Sequence, residues 1–158
     1  MHDVQIEVVL LSVSRGSLTW RVVRGDLPGG VGPDARAREL AGLSSDGTGD
    51  VVVHSTSWRA EAGRLILTYA VLPDPHPTAA HPVPAGVRIV CSGEVSAPAP
   101  PAVDIEHVVA HALRHLSLVG RTSPDVVAAT AVHPLLWNAV LAHVPDVAGE
   151  LVATGTGR

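Results

Sequence analysis

The chain has 158 residues and a mass of 16.3 kDa, enough for one domain, or for one domain with an appended helical piece. Hydrophobic residues make up 46% of it and charged residues 16%, which excludes a disordered polymer, because enough apolar surface can be buried to offset chain entropy. A net charge of -4 argues against general binding to nucleic acid or an anionic membrane, and no uninterrupted apolar run of about 18 residues exists to form a transmembrane helix.

The segment Met1-His2-Asp3-Val4-Gln5 lacks the basic and apolar regions of a signal peptide, so a cytoplasmic protein is expected. Ile6 to Val13 is apolar except for Glu7 and Ser12, which predicts a strand buried on both faces. Ser14 to Ser17 reads as a hairpin turn. Leu18 to Arg24 alternates, with Leu18, Trp20 and Val22 on one side and Thr19 and Arg21 on the other. Residues 25–33 form a glycine- and proline-rich loop. A helix of two to three turns is predicted over Asp34 to Leu43, with Asp34 as N-cap and Gly42 near its end. After a polar turn over 44–50 come two strands, Val51 to Arg59 and Arg64 to Leu72, joined by Ala60 to Gly63.

Residues 73–86 are a proline-rich loop with no ladder donors to offer. Val87 to Cys91 is a short fifth strand, and Cys91, the single cysteine, reads as a small core residue. Residues 96–103 have polyproline character and form a linker. Beyond it the hydrophobic period changes from 2 to 3.6. Ile105, Val108, Val109, Ala112, Leu113, Leu116 and Val119 define a helix capped by Asp104 and stopped at Gly120. Ser123-Pro124 starts a second helix to about Ala131, and a third runs from Leu135 to His143. Residues 154–158 have the composition of a frayed end. The expected fold is α/β (α+β), a mixed-sheet sandwich: residues 1–95 form the β-rich core, 96–103 the linker and 104–153 an α-helical extension packing on the core or on a partner.

A strand pair leading into Leu27-Pro28-Gly29-Gly30, then a short helix with Arg38-Glu39-Leu40, then further strands, resembles the Nudix superfamily over roughly residues 4–92. The resemblance implies a Nudix-like mixed sheet with a short box-like helix. In that family a loop-helix-loop holds Mg²⁺ on a closing pair of glutamates, and the metal activates water against a diphosphate. A hard cation needs oxygen ligands, and a diphosphate needs its charge neutralised before attack. Here Gly29 and Gly30 match the glycine pair, and Arg38, Glu39 and Leu40 match the Arg-Glu-aliphatic triplet. Gly42 and Leu43 stand where the metal-binding glutamates should be. The separation from Gly30 to Arg38 is also too short by more than one helical turn.

The resemblance, with these departures, implies a degenerate module without metal ligands, binding a nucleotide-like or other phosphorylated ligand or a protein, with no cofactor. Its ligand residues would be Gly29, Gly30, Arg36, Arg38, Trp58 and Arg59. The alternative is a Mg²⁺-dependent hydrolase of nucleoside-diphosphate-linked substrates, with Glu39 as base and relocated ligands such as Glu61 or Glu94. His54 to Arg59, Leu67-Thr68-Tyr69 and His111 to Leu116 are also similar to segments of uncharacterised actinobacterial proteins, a likeness that carries no activity.

Arginine is the better fork for phosphate, so Arg21, Arg24, Arg36, Arg38 and Arg59 could line an anion site. In the other reading, Arg38 pairs with a structural carboxylate and the rest lie on strand surfaces. Trp58 and Tyr69 could stack a ring, or belong to the core. His107, His111 and His115 recur at i, i+4 and i+8, a spacing at which two could share a metal. The helical wheel, however, places His107 far from the apolar centre, His111 between, and His115 at its edge, the pattern of a solvated or partner-facing flank. His76 and His81 are expected to be exposed, and His133 and His143 to meet terminal carbonyls at helix ends. No Gly-x-Ser-x-Gly, P-loop or dinucleotide-binding pattern is present. The unusually apolar C-terminal helices should either cover the sheet or join two copies as a homodimer.

Overall fold

A computed structural model of the chain describes residues 3–44, 50–83 and 103–145. The expected strand Val87 to Cys91, Glu94, most of the 96–103 linker and the chain end lie outside the described residues. The apolar run at the start forms β1 (Val4–Ser14), which turns back into β2 (Ser17–Asp26). The turn is made by two residues, Arg15 and Gly16, both at positive φ (51° and 80°), the geometry that matches the right-handed twist of a hairpin. The second hairpin, β3 (Val52–Glu61) and β4 (Arg64–Leu72), closes in the same way through Ala62 and Gly63. It is tighter than the four-residue connection expected from sequence, because Ala60 and Glu61 continue the ladder.

The strands form one mixed sheet in the order β3-β4-β1-β2-β5. Its central pair, β1 and β4, runs parallel, with Val8 beside Tyr69; the hairpins flank this pair. The proline loop contributes β5 (His81–Pro82), a two-residue strand on the outer edge of β2. Proline is tolerated there because an edge strand need donate on one side only.

Alternation along β1 sends side chains into two cores, as a strand buried on both faces requires. Ile6, Val8 and Leu10 face helix α1 (Pro33–Leu40) together with Ala37, Ala41, Tyr69 and Val71. Val9 and Leu11 face the opposite way, into a larger core with Leu18, Trp20, Ala70 and Leu72. That core is roofed by α2 (Ile105–Thr122), α3 (Pro124–Thr130) and α4 (Pro134–Leu141), which supply Val109, Leu113, Leu116 and Trp137. The helical extension therefore covers the sheet, in an α+β arrangement of three layers.

Several helix boundaries differ from expectation, among them the ends of α1 at Leu40 rather than Leu43 and of α4 at Leu141 rather than His143. α2 runs through Gly120 rather than stopping there, and Gly120 is buried. A Cβ at this position would lie 3.1 Å from Leu141 Cδ2 and 3.2 Å from the Trp137 ring, so the glycine lets α2 and α4 cross closely. α1 begins at Pro33, with Gly32 as N-cap and no side-chain cap. Asp34 is not the cap, because its carboxylate is engaged elsewhere. Among the described residues, no helix is long and apolar enough to cross a membrane.

Candidate functional site

Helix α1 is eight residues long and lies close over β2. A Cβ on Gly25 would come within 2.8 Å of both Arg36 Nη2 and Leu40 Cδ2, so the missing side chain makes room for the helix. On the other flank, the Tyr69 hydroxyl donates to Asp34 Oδ1 at 2.6 Å. This bond uses the carboxylate that the sequence suggested as a cap. Burial, the hydrogen bond to Asp34 and the charge of Asp34 together push the Tyr69 phenol well above its ordinary value.

The helix ends before it reaches the positions where metal-binding glutamates would stand. Gly42 N–H donates to Glu39 O and Leu43 N–H to Arg38 O, each at 3.0 Å, the paired bonds of a Schellman motif. Gly42 takes the left-handed conformation, at φ 73°, and a Cβ there would press on the His76 ring at 3.3 Å. Leu43 packs against the core beneath α1. Both positions serve to terminate the helix, and neither can offer a carboxylate. The donor set on α1 does not fit Mg²⁺ as the Nudix resemblance would require.

The arginines sort in the opposite way to the reading that paired Arg38 with a carboxylate. Arg36 Nε donates to Asp26 O at 2.9 Å, and Arg36 Nη1 meets Glu39 Oε2 at 2.7 Å. Arg21 grips the buried Asp74 through Nε and Nη2 at 2.6 and 2.7 Å. Arg24 donates to Glu7 Oε2 at 2.7 Å. Arg59 is buried and donates to Glu7 Oε1 (2.8 Å), Glu7 Oε2 (3.0 Å) and Glu61 Oε2 (2.9 Å). Arg38 has no ion pair among the described residues. A step of about 100° per residue puts it on the same flank of α1 as Asp34, turned toward β4 and β3 rather than β2.

A β-bulge decides what β3 presents there. The register shifts between Ser55 and Ser57, leaving Thr56 unpaired in the ladder, with its hydroxyl donating to Thr68 O at 3.3 Å. His54 and Val52 face the helical roof. An unbroken strand would place residues 56 and 58 on that same side. The extra residue instead puts Ser57 and Arg59 there and turns Trp58 onto the α1 face. Arg59 thereby reaches Glu7, and Trp58 stands opposite Leu67 on the open part of the α1 face, 69% exposed. Of the two aromatics singled out in the sequence, Tyr69 is core and Trp58 is not.

Arg38, on α1, and Trp58, exposed on β3, thus both belong to the α1 side of the sheet. Gly29 and Gly30 form an exposed turn ahead of α1, with Gly30 at φ 81°. Glu39 is largely exposed and, among the described residues, paired with Arg36. Arg59 and Glu61 belong to the buried cluster on the opposite face. Burial works to raise the Glu7 carboxyl, but the hydrogen bond and charge of Arg59, the charge of Arg24 and the Thr68 hydroxyl together hold it below its ordinary 4.5.

The histidine stripe separates as well. His115 is half-buried, and its Nε2 lies 3.0 Å from Nε2 of His54 on β3, a partner the sequence did not suggest. No group of three or more potential metal ligands forms among the described residues. His143 Nδ1 lies 3.2 Å from Ala139 O and Val140 O, the helix-end contact expected of it. His133 sits at the start of α4, with Nε2 buried and unbonded, so that nitrogen meets no terminal carbonyl. Comparison with protein-family models and with curated proteins finds no significant match to the chain.

Proposed function

We propose that the chain is a Nudix-like domain without the family's metal site, acting as a non-catalytic module for a nucleotide-like or other phosphorylated ligand. The mixed sheet between a short loop-following helix and a helical layer supports the Nudix-like reading. The observation that carries the functional one is the distribution of cations beside α1. On that helix Arg36 is neutralised by Glu39, whereas Arg38 has no ion pair among the described residues, and Trp58 is exposed on the same face of the sheet as α1. An unpaired arginine fork binds phosphate without metal, and an exposed indole on the same face of the sheet offers a surface for a base or ring. The Gly29-Gly30 turn leaves open space at the helix entrance, where added Cβ atoms would meet nothing. A homodimer through the helices would use the exposed Val127, Val132 and Leu135.

Calorimetric titration with a panel of nucleoside mono- and diphosphates, with and without Mg²⁺, tests this reading. Binding should not depend on metal, and Arg38→Ala should weaken it by about tenfold or more, as loss of a charged hydrogen-bonding partner does. A flat panel would reject the module. Mg²⁺-dependent phosphate release abolished by Glu39→Gln would establish the hydrolase instead. Light scattering on the same samples reads one copy or two.

A further inference from the structure

A histidine pair joins the edge strand to the helical roof. His54 and His115 are 61 positions apart in sequence. Their ring centroids are 5.1 Å apart and their planes differ by 21°. With Nε2 to Nε2 at 3.0 Å, each Nε2 lies close to the line joining the centroids. That is the geometry of one ring's N–H pointing at the other ring's lone pair. Two ligands of one metal ion would instead bend both lone pairs toward a common third point.

Such a pair holds one proton between its facing nitrogens. His115 Nδ1 is buried and has no hydrogen-bond partner, and a buried N–H without an acceptor is costly. The network therefore assigns the proton of neutral His115 to Nε2, as donor, with His54 Nε2 accepting. A further proton has no good place on the pair. On His54 Nε2 it would set two N–H groups against each other; on His115 Nδ1 it would bury an unsatisfied donor.

We propose that His54 and His115 form a proton-operated latch, closed when both rings are neutral and released by uptake of a single proton, which frees α2 from the edge strand β3. Groups on the neighbouring elements act on the pair. Asp34 on α1 acts on His54 and favours its charged form, while His111 on α2 acts on His115 and opposes it. β4 presents the uncharged Ala70 opposite His54. Burial is the leading influence on both rings and keeps them neutral below the ordinary histidine value of 6.5. The unfolded chain therefore binds more protons than the folded one as pH falls through that value, and the contact loses stability on the acidic side. His54 lies two residues before the bulged Thr56 that orients Trp58, so release is felt at the edge of the candidate site. The latch stands on its own geometry, whether or not that site binds a phosphate.

Hydrogen exchange on the full chain, corrected for the intrinsic pH dependence of exchange, is the test. Between about pH 7.5 and about pH 5, peptides spanning 52–57 and 108–118 should lose protection by about tenfold, while β1 keeps its own. His54→Gln retains an acceptor for His115 without titrating and should abolish the response; His107→Gln, on the same helix as His115, should leave it intact. If His54→Gln does not fold, ring nitrogen NMR of the unmodified chain decides. It should show His115 protonated at Nε2 and His54 unprotonated there at neutral pH, with both resonances changing together on acidification. Unchanged protection, a response that survives His54→Gln, or both rings protonated at Nε2 at neutral pH would overturn the latch. So would stoichiometric Zn²⁺ binding lost on substitution of either histidine, which would make the pair a metal ligand set.

Discussion

The two faces of the sheet are built from alternate residues of the same strands, yet they are covered in different ways. Toward the helical roof, β1 offers Val9 and Leu11 to three helices and two buried tryptophans, Trp20 and Trp137. The same face ends in a buried ion cluster around Glu7. Toward α1, β1 offers Ile6, Val8 and Leu10 to a helix of eight residues. That helix covers the β2 side closely and leaves Trp58 on β3 exposed. A large roof buries its face of the sheet; a short one leaves part of the other face, at Trp58, open to solvent. On α1 itself the arginines divide: Arg36 is neutralised by Glu39 one turn on, while Arg38 has no ion pair among the described residues.

The contrast meets its severest test on the roofed face. Glu7→Gln would leave Arg59 buried without its main counter-charge, a loss of about 3–5 kcal/mol, readable by urea denaturation. The same pair sets an acid limit. The Glu7 carboxyl is held below its ordinary 4.5, so its contribution is complete above that pH and disappears as pH falls through the lower, folded-state value. The stability of Glu7→Gln should accordingly be less sensitive to pH below 4.5 than that of the unmodified chain, as acid titrations of the two will show. Gly120→Val comes next. Its methyl groups would meet Leu141 and Trp137 where even a Cβ is tight, and overpacking costs about 1–3 kcal/mol. A thermal melt should show the loss; an unchanged melting temperature would mean that α2 and α4 do not cross closely here.

The α1 face should respond less. Tyr69→Phe removes the bond to Asp34 and should cost about 0.5–1.5 kcal/mol in the same denaturation experiment. Asp34 is exposed, so water can replace the lost donor. A loss as large as that of Glu7→Gln would erase the distinction between the two faces.

Much of this architecture was legible in the chain. The apolar run of β1, broken only by Glu7 and Ser12, announced burial on both faces, and Leu18, Trp20 and Val22 share one side as their alternation required. The change to a 3.6 period after the linker marked the helices. The absence of carboxylates at Gly42 and Leu43 was visible too, and the Schellman bonds add the reason: these residues stop the helix. Why Arg38 lacks an ion pair among the described residues was harder to read. Nothing local distinguishes Arg38 from Arg36 or Arg59, because a charge is neutralised by whatever the fold brings beside it.

Residue type and spacing within a few positions were enough for the first four strands and the C-terminal helices, but not for β5 at His81–Pro82, which falls in the stretch read as a loop. Three features required the folded chain: the bulge at Thr56 that sends Trp58 and Arg59 to opposite faces, the crossing that needs Gly120, and the meeting of His54 with His115. Each depends on register and packing between distant segments. A one-residue shift in register moves every later side chain to the other face of a sheet.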